Sequence, residues 1–181
     1  AVKHSFPPRR SSDLFTGNAS GSYGSFTVYA STGAWLYTMS NTQSLSATDR
    51  FTETFTVTVT DDQGATTTQD VTITVTGTND APVISSAAQS GATAEDGPLT
   101  AAGTVSASDV DHDAVLSFTG DATGTYGSFT VDASSGAWLY TMTNSQSLSA
   151  NDRFTETFTV TVTDDQGATT TQDVTITVTG T

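Results

Sequence analysis

Phe154-Thr-Glu-Thr-Phe158-Thr-Val160-Thr-Val162, then Asp164-Asp165-Gln166-Gly167, then Val174-Thr-Ile176-Thr-Val178, is the stretch that decides the fold class. Large apolar residues alternate with threonine on both sides of a short polar connection. Period two with β-branched and aromatic residues is the pattern of a half-buried strand. The Asp-Asp-Gln-Gly link supplies turn formers and a glycine able to take positive φ, so the two runs read as a hairpin. Upstream, Tyr126-Gly-Ser-Phe129-Thr-Val131 and Ala137-Trp138-Leu139-Tyr140-Thr141 flank Ala133-Ser-Ser-Gly136 and read as a second hairpin. No helical periodicity runs over a useful length. About seven short strands within roughly 100 residues predict an all-β chain folded as an Ig-like sandwich. Its expected core is Phe129, Val131, Trp138, Tyr140, Phe154, Phe158, Val160, Val162, Val174, Ile176 and Val178.

The same stretch occurs twice. Residues 15–78 align without gaps to 118–181 at an offset of 103, with 56 of 64 positions identical. The exchanges are mild (Thr32 for Ser135, Thr48 for Asn151) except Tyr29 against Asp132. The expected organisation is a complete repeat over 79–181 and an N-terminally truncated repeat over 15–78 that lacks its first 36 or so residues. Residues 1–14, AVKHSFPPRRSSDL, hold three of the five basic residues and two of the four prolines. They lack the apolar core of a signal peptide. We read them as a leader foreign to the fold. The truncated copy is expected to be less ordered than residues 83–181 and to expose Val/Thr-rich edges.

Composition narrows the function. The chain carries 19 acidic against 5 basic residues, a net charge of -14, and no cysteine. That charge argues against nucleic acid and anionic lipid as partners, because phosphate affinity comes from Lys and Arg. No apolar run reaches the length a membrane helix needs. The repeats hold one histidine, His112, and neither lysine nor cysteine. Nucleophile chemistry built on a Ser-His-Asp or Cys-His set has little to work with, and no enzyme is expected.

The acids fall in clusters. Asp109-Val-Asp111-His-Asp113 packs three carboxylates into five residues, Asp164-Asp165 follow one end of the Phe158–Val162 strand, and Asp152 and Glu156 lie toward the other. A strand of about nine residues spans about 30 Å, so the two sets belong to opposite poles of one domain. Glu156 shares its face with Phe154, Phe158 and Val160, and an inward carboxylate needs a partner. With copies stacked head to tail, Asp49 and Glu53 of the first meet Asp109, Asp111, Asp113, Asp164 and Asp165 of the second across Asn79-Asp80-Ala81-Pro82. Many oxygens without thiol suit a hard cation, calcium rather than zinc. Each piece also has a plain reading: Asp-Asp-Gln-Gly is ordinary hairpin chemistry, and Asn79-Asp80 before Ala-Pro is an ordinary turn. The aspartate cluster is not an EF-hand loop, since Ala114 and Gly120 stand where that loop needs glycine and glutamate.

The string from Gly124-Thr-Tyr126-Gly-Ser-Phe-Thr-Val131 through Trp138-Leu-Tyr140, the Val-Thr-Val-Thr-Asp-Asp-Gln-Gly run and the closing Gly77-Thr-Asn-Asp-Ala-Pro82 resembles the VCBS repeat, a family of bacterial cadherin-like modules. The resemblance covers 79–181 completely and 15–78 as a fragment. It implies a cadherin-like Greek-key sandwich and tandem arrays in large secreted or cell-surface proteins, including RTX-type adhesins that support attachment and biofilm formation. By the further likeness to cadherins, Asn79-Asp80-Ala-Pro82 matches their linker, Asp109-Val-Asp111 their Asp-x-Asp loop, and Asp164-Asp165-Gln-Gly167 their Asp-x-Gly loop. Asp49-Arg50-Phe-Thr-Glu53 matches their Asp-Arg-Glu loosely. Glu95, Asp152 and Glu156 then form the incomplete half-site of the next junction. The expected function is a calcium-stiffened spacer, monomeric as a module, extracellular, with neighbouring repeats of the same chain as its partners. The alternative is a module that binds a surface glycan or a protein directly, with Tyr23, Trp35 and Tyr37 (and Tyr126, Trp138 and Tyr140) as an aromatic platform.

Overall fold

The computed structural model describes residues 12–40, 44–143 and 148–181. It divides into two units, Ala1–Thr78 and Asn79–Thr181, and every regular element described is a strand. Of the leader, residues 1–11 lie outside the described residues, and Leu14 belongs to a strand.

Unit 1 contains β1 (Leu14–Thr16), β2 (Ala19–Ser20), β3 (Gly24–Val28), β4 (Trp35–Met39), β5 (Arg50–Thr60) and β6 (Thr66–Thr76). They form two three-stranded sheets, in the orders β1-β5-β6 and β2-β3-β4. Unit 2 contains β7 (Val83–Ile84), β8 (Gln89–Ala94), β9 (Thr100–Thr104), β10 (Ala107–Ser108), β11 (Ser117–Thr119), β12 (Ala122–Thr123), β13 (Gly127–Val131), β14 (Ala137–Met142), β15 (Arg153–Thr163) and β16 (Thr169–Thr179). Its sheets run β11-β15-β16-β8 and β12-β13-β14-β9, with a small β10-β7 pair. Both expected hairpins form: β15 pairs antiparallel with β16 from Arg153↔Thr179 to Thr163↔Thr169, and β13 with β14 through Phe129↔Tyr140. β8 joins the outer edge of β16 in parallel, Val174 opposite Gln89.

Alternation sets what is buried. Along β15, Phe158, Val160 and Val162 point inward while Thr157 and Thr159 stay exposed. Along β16, Val174, Ile176 and Val178 do the same. These residues meet Phe129, Trp138 and Tyr140 of the facing sheet in one core cluster. The parallel rings of Phe129 and Phe158, with centroids 4.8 Å apart, sit at its centre. Two expected core residues differ. Phe154, near the open end of β15, is 38% exposed and stacks on Tyr126 at 4.8 Å; Val131 is only half-buried. Val105, Phe118 and Met142 complete the core instead. Gly136 takes φ 67° in the β13–β14 turn, where a Cβ would meet the Val105 carbonyl and the Phe118 ring. Both conformation and space therefore require glycine.

Unit 1 repeats this arrangement from β1 to β6, and its described residues hold no counterparts of β7–β10. Identical side chains are consequently less covered. Trp35, Tyr37, Val71 and Ile73 are half-buried, whereas Trp138, Tyr140, Val174 and Ile176 are buried. Met39 is 39% exposed where Met142 is 5%.

Candidate metal centre

Asn79, Asp80, Asp109, Asp111 and Asp164 are linked by hydrogen bonds at one pole of unit 2. The Asp164-Asp165-Gln-Gly turn closes β15 onto β16. Asp164 Oδ1 accepts from the backbone N–H groups of Gln166 (2.9 Å) and Ala168 (2.8 Å), and its Oδ2 accepts from Asn79 Nδ2 at 2.8 Å. Asp164 is only 6% exposed. Burial raises its pKa, but the donors from Asn79, Ala168, Gln166 and Gly167 outweigh that and hold the carboxyl below its usual value. Asp80 N–H donates to Asp111 Oδ2 at 2.9 Å, fixing the start of the unit to the loop after β10. Asp111 N–H in turn donates to Asp109 Oδ1 at 2.9 Å.

This leaves two oxygens over. Asp109 Oδ2 and Asp111 Oδ1 are buried and accept no hydrogen bond. Buried carboxylate oxygens without a donor are costly and call for a cation or its equivalent. The donors at this pole are all oxygen, the chemistry of calcium rather than of zinc or copper. Among the described residues, however, no three His, Asp or Glu side chains gather closely enough to hold a metal ion by themselves. In kind the residues fit a hard cation; in number they supply part of a coordination shell.

The other expected ligands lie elsewhere. Asp113 takes φ 58° and, with His112, faces solvent: the two side chains are 87% and 63% exposed and stand 3.5 Å apart. Asp165 accepts from Val115 N–H at 3.3 Å, and that bond leads the causes that lower its pKa. Asp152 Oδ2 caps Ser149 N–H at 2.8 Å, and Asp49 Oδ2 caps Ser46 N–H at 3.0 Å. Asp49 also takes Gly77 N–H on its carbonyl, which holds it two residues before Asn79 in the chain. Glu95 follows β8 and accepts from Thr181 N–H at 3.3 Å.

Glu156 and Glu53 have the partners that their inward orientation demands. Glu156 accepts from the Tyr140 hydroxyl at 2.5 Å and from Thr125 and Tyr126 N–H; Glu53 accepts from the Tyr37 hydroxyl and from Ser22 and Tyr23 N–H. The loops approach so closely that a Cβ on Gly124 or Gly21 would strike the glutamate. Tyrosine and glutamate thus lock the second pole of each sandwich, a use for these residues that spacing alone does not disclose.

The tyrosines carry a pH signature. Burial first, then the hydrogen bond and charge of Glu53, push Tyr37 up to about 12 from its usual 10; Tyr140 shifts the same way beside Glu156. Below pH 10 both folded and unfolded chains keep the phenolic proton. Between about 10 and 12 only the unfolded chain loses it, so stability falls as pH rises through that window. Urea melts of the Tyr37→Phe/Tyr140→Phe chain between pH 9 and 11 are expected to lose most of this slope; an unchanged slope would assign it to other groups.

Of the aromatic platform of the alternative reading, unit 2 leaves Tyr126 half-buried and takes the other two residues inside. Trp138 is 2% exposed and Tyr140 fully buried, both in the core.

A two-sheet sandwich with an oxygen-lined pole next to its linker defines a cadherin-like module. The chain belongs to the bacterial cadherin-like domain family, whose model matches residues 7–77 and 79–180. Among solved structures it is similar in fold to Drosophila N-cadherin EC1-4 (TM-score 0.53, 19% identity, covering 97% of this chain and 44% of that one). It is likewise similar to mouse Cadherin-23 EC22-24 (TM-score 0.50, 21% identity, covering 94% and 53%). The chain thus spans about half the length of these structures. No curated protein matches it. Membership of this family makes the chain a cadherin-like structural module. Among the described residues no helix is long and apolar enough to cross a membrane.

Proposed function

We propose that this chain is part of a tandem array of VCBS type in a bacterial secreted or cell-surface adhesin, where it serves as a calcium-stiffened spacer in cell adhesion and biofilm formation. The observation that carries this reading is the pair of orphaned, buried oxygens on Asp109 and Asp111, beside the Asn79-Asp80 linker. In this proposal Asp80, Asp109, Asp111 and Asp164 offer carboxylate oxygens to calcium. Bound calcium would neutralise the converging carboxylates. Asn79 orients Asp164, and the Asp80 amide orients Asp111. Glu53 and Glu156 brace the opposite pole of their own units, and Glu95 with Asp152 marks where the next repeat would follow. The repeat region has the makings of a scaffold and lacks those of a catalytic centre.

Small-angle scattering of the whole chain tests the spacer role. Millimolar calcium is expected to narrow the distribution of maximum dimensions, and EDTA to broaden it. Identical curves in both conditions would remove the stiffening from the account.

A further inference from the structure

The edge of β15 that faces β11 is only partly covered. β11 pairs with residues 161–163, and the chain then crosses to the other sheet, where β12 pairs with β13. A Cβ on Gly120, at the crossing, would meet the Thr159 carbonyl. That carbonyl therefore points to the side that β11 leaves, and alternation turns the main-chain groups of Thr157 and Thr155 the same way. Between this edge and β12 lies a groove of about 580 Å³, with Thr123, Gly124 and Thr125 on one wall and Thr155, Glu156 and Thr157 on the other. Clefts that hold small molecules measure roughly 300–1,000 Å³.

The groove is polar along its walls and aromatic at one end. All four threonines are exposed, and each hydroxyl can both donate and accept. Glu156 is held in place by the Tyr140 hydroxyl and by the N–H groups of Thr125 and Tyr126. Two residues along the same face of β15, Phe154 stacks on Tyr126 with ring centroids 4.8 Å apart and stays 38% exposed. The first copy repeats the set: Tyr23 stacks on Phe51 at 4.6 Å, and Glu53 is held by Tyr37, Ser22 and Tyr23. Eight positions differ between the aligned copies, and two of them lie in this wall, Ser20 for Thr123 and Ser22 for Thr125. Both exchanges keep the hydroxyl.

We infer that this groove of unit 2 binds a neutral glycan, a chain of uncharged hexoses. Sugar hydroxyls need partners that both donate and accept, which the threonine side chains and the main-chain groups of Thr155 and Thr157 supply. The C–H face of a sugar ring needs apolar surface, which the Phe154 ring offers at the end of the groove. Glu156 and the chain's net charge of -14 repel uronates and sulfated sugars. An extended peptide would use the main-chain edge alone and would leave the hydroxyls and the aromatic pair without a role. The site goes beyond the spacer function and stands apart from the calcium reading, since neither Asp109 nor Asp111 lines it.

The test titrates the intact, isotope-labelled chain with cellohexaose, laminarihexaose and maltohexaose, and with polygalacturonate as the anionic control, followed by amide NMR shifts. Expected are saturable shifts at residues 122–126 and 154–158 with at least one hexaose, alike in calcium and in EDTA, and none with polygalacturonate. Thr125→Val/Thr157→Val keeps the β-branched shape and removes two hydroxyls; it is expected to bind about tenfold more weakly with its melting point unchanged. Phe154→Leu is expected to weaken binding by a similar factor. Four results would each overturn the inference. They are no saturable shift with any hexaose, equal shifts with polygalacturonate, unchanged affinity in the threonine variant, which would leave only a main-chain edge at work, or a requirement for calcium, which would move the ligand to the other pole.

Discussion

Trp138→Ala is expected to destabilise unit 2 by about 3–5 kcal/mol, whereas the same change at Trp35 should cost unit 1 only about 1–2 kcal/mol. The residue, its strand and its hairpin partner are alike in both copies. Trp138 stacks on Phe129 at 5.7 Å and Trp35 on Phe26 at 5.5 Å, and each faces a valine across its hairpin. The difference is cover. Trp138 is closed over by Gly91 and Gly103 and hydrogen-bonded by Gln89, leaving it 2% exposed. Trp35 has no β8 or β9 above it among the described residues. Removing Trp138 therefore leaves a cavity in a packed core, while removing Trp35 deepens a surface groove that water already reaches. Denaturant melts of the two variants, with hydrogen exchange to assign each transition to its unit, measure both costs. Equal losses would mean that cover by β8 and β9 contributes little.

The second large effect is a reversal of sign. Asp109→Asn/Asp111→Asn is expected to raise the melting point of unit 2 in EDTA and to abolish its rise in calcium. Without metal, the native fold must hold two desolvated carboxylate oxygens that no donor reaches; asparagine removes that charge and keeps an oxygen to accept Asp80 N–H. With calcium at a hundredfold over its dissociation constant, the unaltered chain gains about 2.7 kcal/mol from binding, which the variant forgoes. The two melting curves should therefore cross over as calcium rises. A variant less stable than its parent in EDTA would show that the two aspartates serve the fold rather than an ion.

The long hairpin was legible because alternation is a local property: Phe158, Val160 and Val162 are buried and the threonines between them are not. β8 and β9 were not, since Gln-Ser-Gly-Ala-Thr-Ala and Thr-Ala-Ala-Gly-Thr carry no large apolar residue to mark a face. Their smallness becomes meaningful only under the Trp138 ring. Phe154 shows the converse error, having the right parity but lying near the strand's end, where it stacks on Tyr126 at the rim. At the site, the spacing of Asp109, Asp111 and Asp164 pointed to a cluster, and the parity of Glu156 announced a partner without naming Tyr140. Which carboxylate oxygens lack a donor depends on how Asn79 and Asp80 fold back onto the loops, and nothing in the linear order encodes that.

Calorimetric titration of the intact chain with calcium, repeated on the Asp109→Asn/Asp111→Asn variant, tests the central claim most directly. Saturable binding to the parent that the variant loses is the predicted result. Absence of heat at millimolar calcium, or equal binding by both chains, would contradict a calcium site at this pole.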